Sequence, residues 1–126
     1  MNLRKKQSVF ALNVSKLIKH AYDNGYELTI GEAQRTNDMQ LLYFMGYTLM
    51  VCGGSLKLAK TKIKSKTMNS KHLNKTAIDL NVFKDGEYLT KKEDVQFLGD
   101  YWESLHEKCK WGGNWRFLDT PHFQMF

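Results

Sequence analysis

The chain is poor in cysteine, proline, histidine and long apolar runs. Cys52 and Cys109 are its only cysteines and form no C-x-x-C pair, which excludes a disulfide framework and a thiolate zinc finger and leaves two reduced, buried thiols. Its single proline, Pro121, fits only the first position of a strand or a sheet edge. No stretch approaches the roughly 18 apolar residues of a membrane span. The N-terminal "MNLRKKQSVFALNVSKLIKHAY" alternates apolar and polar positions instead of building a signal-peptide core. The chain therefore reads as made in the cytoplasm without a signal peptide. No repeat or low-complexity tract is present.

What the chain does have is basic charge and enough apolar residues for one core. Its 126 residues are 42% hydrophobic, which suits one domain over residues 1–126. A formal charge of +6 predicts attraction to a polyanion: nucleic acid, an acidic membrane surface or a bacterial cell wall. Lys57, Lys60, Lys62, Lys64 and Lys66 concentrate that charge in "CGGSLKLAKTKIKSKTMN", read as a mobile or edge-strand loop. This run lacks interleaved aromatics for base stacking.

Apolar spacing organises the remainder. From Ser8 to about Asn24, Phe10, Val14, Leu17, Ile18, Ala21 and Tyr22 recur with the period of one helix face, and Gly25 ends the helix. "YELTI" alternates as a half-buried strand. Thr36 or Asn37 caps a second helix, Asp38 to Met45, with Leu41, Leu42 and Met45 facing inward. In "AIDLNVF", Ile78, Leu80 and Val82 share the core face, so Asp79 projects from the other. Asp85-Gly86 is a tight turn. Thr90 and Glu93 form a capping-box pair before a long amphipathic helix running from about Lys91 to Cys109. On a final strand His122, Gln124 and Phe126 share a face.

Catalytic zinc is commonly held by three histidine or carboxylate ligands, with a fourth position open to water. His72, Asp79 and His122 would supply such a set. Spacing alone does not separate this reading from histidines exposed in polar loops. His106 lies three residues before Cys109, but packing and surface roles suit it better. His20 sits late in the first helix, where a cation suits the helix dipole.

Two motifs sharpen the choice. "SKHLNKTAID" reads Ser-x-His-x-x-x-x-Ala-x-Asp, and "FLDTPHFQ" reads Asp-x-x-His followed by an aromatic. Together they resemble the zinc peptidases that comprise D-alanyl-D-alanine carboxypeptidases, dipeptidases and the L-alanyl-D-glutamate endopeptidases of bacteriophage lysins. The likeness runs from about Arg35, with Gln40 and the glycine turn "WGGNW", to Phe123. It departs at Lys75, where the family usually has glycine, and at Gln124, where some members carry glutamate. Lysine resists positive φ, so the turn at Lys75 is expected to differ.

The resemblance implies zinc on His72, Asp79 and His122, with Asp119 as catalytic base. Arg35 would polarise the scissile carbonyl or bind a substrate carboxylate, and Ser70 and Gln40 would join it in substrate binding. Read without the resemblance, Arg35 is a surface ion pair and Asp119 a turn residue before proline. The implied fold is α+β, a small antiparallel sheet with packed helices of the Hedgehog and D,D-peptidase type. The implied enzyme is a zinc-dependent L-alanyl-D-glutamate endopeptidase acting on peptidoglycan as a phage or prophage endolysin, monomeric and released to the cell wall with a holin. A D,D-carboxypeptidase or dipeptidase stands second. A non-enzymatic basic module for nucleic acid or anionic wall polymers stands third, with no nucleic-acid partner expected on the first reading.

Overall fold

The first helix, α1, runs over Leu3–Asp23. It starts earlier than the apolar spacing predicts because the Asn2 side chain accepts a hydrogen bond from the Lys5 backbone N–H at 2.8 Å, supplying a cap before the first apolar residue. Phe10, Leu17 and Ala21 form its buried stripe. Strand β1 follows at Glu27–Ile30. The computed structural model describes residues 1–126.

The central strand, β4, occupies Ala77–Lys84, and every other element of the main sheet is placed by it. β1 pairs with one edge of β4, while β5 (Glu87–Leu89) and β7 (His122–Met125) share the other. β6 (Cys109–Trp111) extends the sheet beyond β7, giving the order β1-β4-β7-β6. All these pairings are antiparallel. Asp85 and Gly86, both at positive φ, make the β4–β5 turn. Ile78, Leu80 and Val82 point into a core of 13 buried residues shared with α1, β6, β7 and α3 (Lys92–Leu105). The fold is α+β, as the resemblance implies.

Three local expectations need correction. α3 stops at Leu105, and Cys109 opens β6; Cys109 and Trp111 are buried by strand alternation, which happens to continue the helix spacing. The Thr90–Glu93 capping box does not form: Lys91 occupies the cap position without a side-chain bond, and the Thr90 carbonyl instead accepts from the Thr120 hydroxyl at 3.4 Å. The second helix, α2, spans Asn37–Met45 with Thr36 capping the Met39 N–H. Its buried residue is the polar Gln40, whereas Leu41 and Met45 are exposed.

Part of the lysine-rich segment is ordered as a hairpin. β2 (Tyr47–Cys52) and β3 (Ser55–Lys60) pair antiparallel through Gly53-Gly54, and positive φ at both glycines matches the twist of a tight hairpin turn. Its base is tied down where the Thr61 N–H meets the Gly46 carbonyl at 2.9 Å. Elsewhere the minor histidines keep structural roles. His20 stacks on Tyr101 with ring centroids 3.8 Å apart, and His106 Nδ1 accepts the Lys108 N–H just past α3. Of the two thiols expected to be buried, Cys52 is exposed on the hairpin and only Cys109 is buried; burial pushes the Cys109 thiol up to about 11, so it is an inert packing group.

Candidate metal centre and active-site cleft

Asp79 and His122 lie directly opposite each other across the β4–β7 ladder. In an antiparallel pair, opposed residues project from the same face at close range, so the register alone brings these two side chains together. The face is the one away from Ile78 and Leu80. His72 arrives from the turn that leads into β4, where the Ser70 hydroxyl accepts the His72 N–H at 3.2 Å and the Lys75 N–H reaches the His72 carbonyl at 3.3 Å. Lys75 closes this turn at φ 58°. The turn therefore keeps a glycine-like conformation despite the lysine.

Hydrogen bonds fix which nitrogen each ring presents. His72 Nδ1 donates to the Ala33 carbonyl at 2.9 Å, and a carbonyl only accepts, so the neutral ring carries its lone pair on Nε2. That nitrogen is 3.4 Å from Asp79 Oδ1. His122 Nε2 donates to Gln124 Oε1 at 2.8 Å, turning Nδ1 toward the same oxygen at 3.3 Å. The three donor atoms lie within 4.8 Å of one another.

Asp79 Oδ1 is buried without a hydrogen-bond partner. Its two near neighbours are lone-pair nitrogens in the tautomers just described, so three lone pairs converge with no proton between them. Such a group is costly unless a cation fills it. The electrostatics agree. Burial works to raise the Asp79 pKa, but the hydrogen bonds and charges that His122 and His72 offer once protonated outweigh it and hold the carboxyl down at about 2. Burial likewise works to lower His72, yet the bond to Asp79 that only its protonated form can make, together with the bond to Ala33, raises it overall. Both shifts report a cluster that favours positive charge among its side chains. Two imidazoles and one carboxylate match the donors of a catalytic zinc with an open fourth position, and these residues fit that ion.

Asp119 overlooks the cluster from the loop before β7. Its N–H donates to the Gly112 carbonyl at 3.0 Å, and its own carbonyl accepts the His122 N–H at 3.1 Å. A Cβ on Gly112 would lie 2.3 Å from the Asp119 carbonyl oxygen, so this close approach requires glycine. The "WGGN" turn is itself held by Glu103, whose carboxylate accepts from the Trp111 N–H at 2.9 Å and the Asn114 amide at 3.2 Å. Asp119 Oδ2 stands 3.9 Å from His122 Nδ1. Burial raises its pKa, with the charge of Asp79 adding to it and the charge of His122 opposing.

Arg35 forms the opposite wall. Its Nε pairs with Glu32, its Nη1 donates to Gln40 Oε1 at 2.7 Å and to the Ser70 hydroxyl at 3.3 Å, and its guanidinium lies 4.8 Å from the Tyr43 ring centroid. Tyr43 in turn donates its hydroxyl to Glu32 at 2.9 Å. The Glu32 backbone carbonyl accepts the Asp79 N–H at 2.8 Å, coupling this wall to the ligand strand. Gln40 is fully buried, with its amide donating to Ser65 and the Thr67 carbonyl. It therefore acts behind Arg35, as a positioning group with no face on the cleft. Ser70 lines the cleft while also bonding Arg35.

Between these walls lies a cleft of about 700 Å³. It joins His72, Asp79, Asp119 and His122 to Arg35 and to Lys64 and Lys66. Glu32, Tyr43 and Gln124 were not legible as site residues from the sequence, since their roles arise from contacts across separate segments. The glutamate sometimes found at the Gln124 position was the one available signal.

The sequence model of the family described as D-alanyl-D-alanine carboxypeptidase matches residues 63–125, half of the chain. The chain belongs to this peptidase family. The matched segment contains His72, Asp79, Asp119 and His122, whereas Arg35 and Gln40 lie upstream of it. This family member also resembles a solved structure, the L-Ala D-Glu endopeptidase ChiX of Serratia marcescens, with a TM-score of 0.68 and 18% identity over 99% of this chain and 84% of that one. That similarity shows a shared fold. A comparison with curated protein sequences returns no match.

Proposed function

We propose that this peptidase is a zinc-dependent peptidoglycan hydrolase, an L-alanyl-D-glutamate endopeptidase acting as a phage or prophage lysin. The observation that carries the metal is the partnerless Asp79 Oδ1 facing the lone pairs of His72 and His122. The substrate class is supported by the family, and the bond by the motif resemblance together with the fold shared with ChiX. No helix is long and apolar enough to cross a membrane, and holin-assisted release to the wall belongs to the same proposal.

Zinc held by His72, Asp79 and His122 would supply a Lewis acid that lowers the pKa of a water toward neutrality. Asp119 accepts the proton of the attacking water and returns it to the leaving amine; its raised pKa suits a group that must both take and give a proton. Arg35 brings a fixed cation to the scissile carbonyl or to a substrate carboxylate, where developing negative charge is stabilised most. Because Glu32, Gln40, Ser70 and Tyr43 hold that guanidinium before substrate arrives, little reorganisation accompanies the reaction. His122 is oriented by Gln124 and flanked by the Trp115 ring, whose centroid lies 4.9 Å away.

The family description favours a second reading, removal of a terminal D-alanine. Mass analysis of muropeptides released from purified peptidoglycan distinguishes the two. New L-alanyl and D-glutamyl ends support the endopeptidase; release of free D-alanine alone refutes it in favour of the carboxypeptidase.

A further inference from the structure

The β2–β3 hairpin is not part of the cleft machinery; it forms a separate two-stranded sheet and is built unlike the main one. Its register sets Leu49 opposite Leu58 and Val51 opposite Leu56. Alternation puts all four on one face of the ribbon, and they are 51%, 62%, 78% and 68% exposed respectively. Natural strands with free edges usually avoid such a face. A two-stranded hairpin is itself marginal in water, so this aliphatic surface needs an occupant.

Charge identifies the occupant. Residues 39–78 contain seven lysines and no aspartate or glutamate. Lys60 shares the aliphatic face at the hairpin base opposite Tyr47, Lys57 sits on the other face opposite Met50, and Lys62 follows β3. A second copy of the chain would bring two such lysine sets together and repel. Nucleic acid or a wall polymer would answer the lysines yet leave four aliphatic side chains in water. An anionic bilayer surface answers both, since acyl chains take the aliphatic residues while lysines reach back to the headgroups.

We propose that the β2–β3 hairpin docks the enzyme on the surface of anionic phospholipid bilayers, with Leu49, Val51, Leu56 and Leu58 entering the interface and Lys57, Lys60 and Lys62 binding headgroups. It lies on the surface without spanning the bilayer. Neither signal suffices alone, so binding requires both.

The test is co-sedimentation of the full chain with vesicles of phosphatidylglycerol and phosphatidylcholine in about equal amounts, against vesicles of phosphatidylcholine alone. Wild type is expected to bind the anionic vesicles at least about tenfold more tightly. Val51→Asp with Leu58→Asp should lower that binding by more than about tenfold, and Lys57→Gln with Lys60→Gln should also lower it. Val51→Thr with Leu58→Thr places strand-forming β-branched residues at both positions, so its loss of binding reports lost apolar contact in a folded hairpin. These changes lie outside the cleft, and the thermal midpoint should stay near wild type. Vesicle binding that survives both aliphatic pairs but not the lysine pair would assign a plain polyanion contact and overturn the proposal. So would concentration-dependent dimerisation by sedimentation without vesicle binding, which would assign the face to a second copy.

Discussion

Replacing Lys75 by glycine is expected to stabilise the protein by about 1 kcal/mol. Lys75 is exposed and adopts φ 58°, a left-handed conformation that costs a residue with a Cβ roughly 1–2 kcal/mol. Glycine removes that cost but gains freedom in the unfolded chain worth about 0.4–1 kcal/mol, leaving a net gain near 1 kcal/mol. The turn's backbone bonds, including the Lys75 N–H to the His72 carbonyl, survive because glycine keeps the same N–H. For a chain of this size the gain corresponds to a rise of roughly 3–5 °C in the thermal midpoint. Lys75→Ala is the control: it removes the ammonium while keeping the Cβ, and should give no comparable rise. Differential scanning calorimetry and urea unfolding on both variants measure this. Equal shifts for alanine and glycine, or a loss of stability with glycine, would refute the argument that backbone strain at Lys75 is what the family glycine avoids.

Gly112→Ala should destabilise by about 2–3 kcal/mol and impair cleavage, because the new methyl meets the Asp119 carbonyl oxygen at 2.3 Å and must push the Asp119–His122 loop away; unfolding midpoints and digestion rates check both effects. Gln124→Ala should weaken metal affinity by about 10–100-fold through loss of the acceptor that orients His122, whereas Gln124→Glu, which keeps an acceptor, should retain it in chelator competition. The metal-free protein should lose stability on the order of 2 kcal/mol as pH falls from about 4 toward 2. Asp79 has its carboxyl lowered to about 2 in the fold, so its contribution is present above the ordinary carboxylate range and vanishes as the folded group protonates. Asp79→Asn should flatten that part of the pH profile in urea unfolding.

Strand alternation made the ligand strand legible: "AIDLNVF" turned Asp79 away from Ile78 and Leu80, and β4 follows it. The convergence of His72 and His122 on Asp79 was implied by motif resemblance, but pairing Asp79 with His122 depends on a ladder between segments far apart in the chain. Period alone misled where two structures share a spacing. Cys109 continues the helical stripe of α3, yet it belongs to β6. On α2 the apolar residues looked inward, whereas buried hydrogen bonds to Arg35, Ser65 and Thr67 select Gln40. The hairpin carried its own signal in Gly53-Gly54, which the neighbouring lysines obscured. Glu32 and Tyr43 carried none, because their value lies in the guanidinium they hold.

The most direct test measures bound zinc and peptidoglycan digestion together in wild type, His72→Ala and Asp119→Ala. Asp119 takes no part in the three-atom donor set, so its alanine variant should keep most of the zinc and lose cleavage. His72→Ala should lose both. Full activity in either variant, or a wild-type protein that digests peptidoglycan equally well after complete zinc removal, would contradict the account.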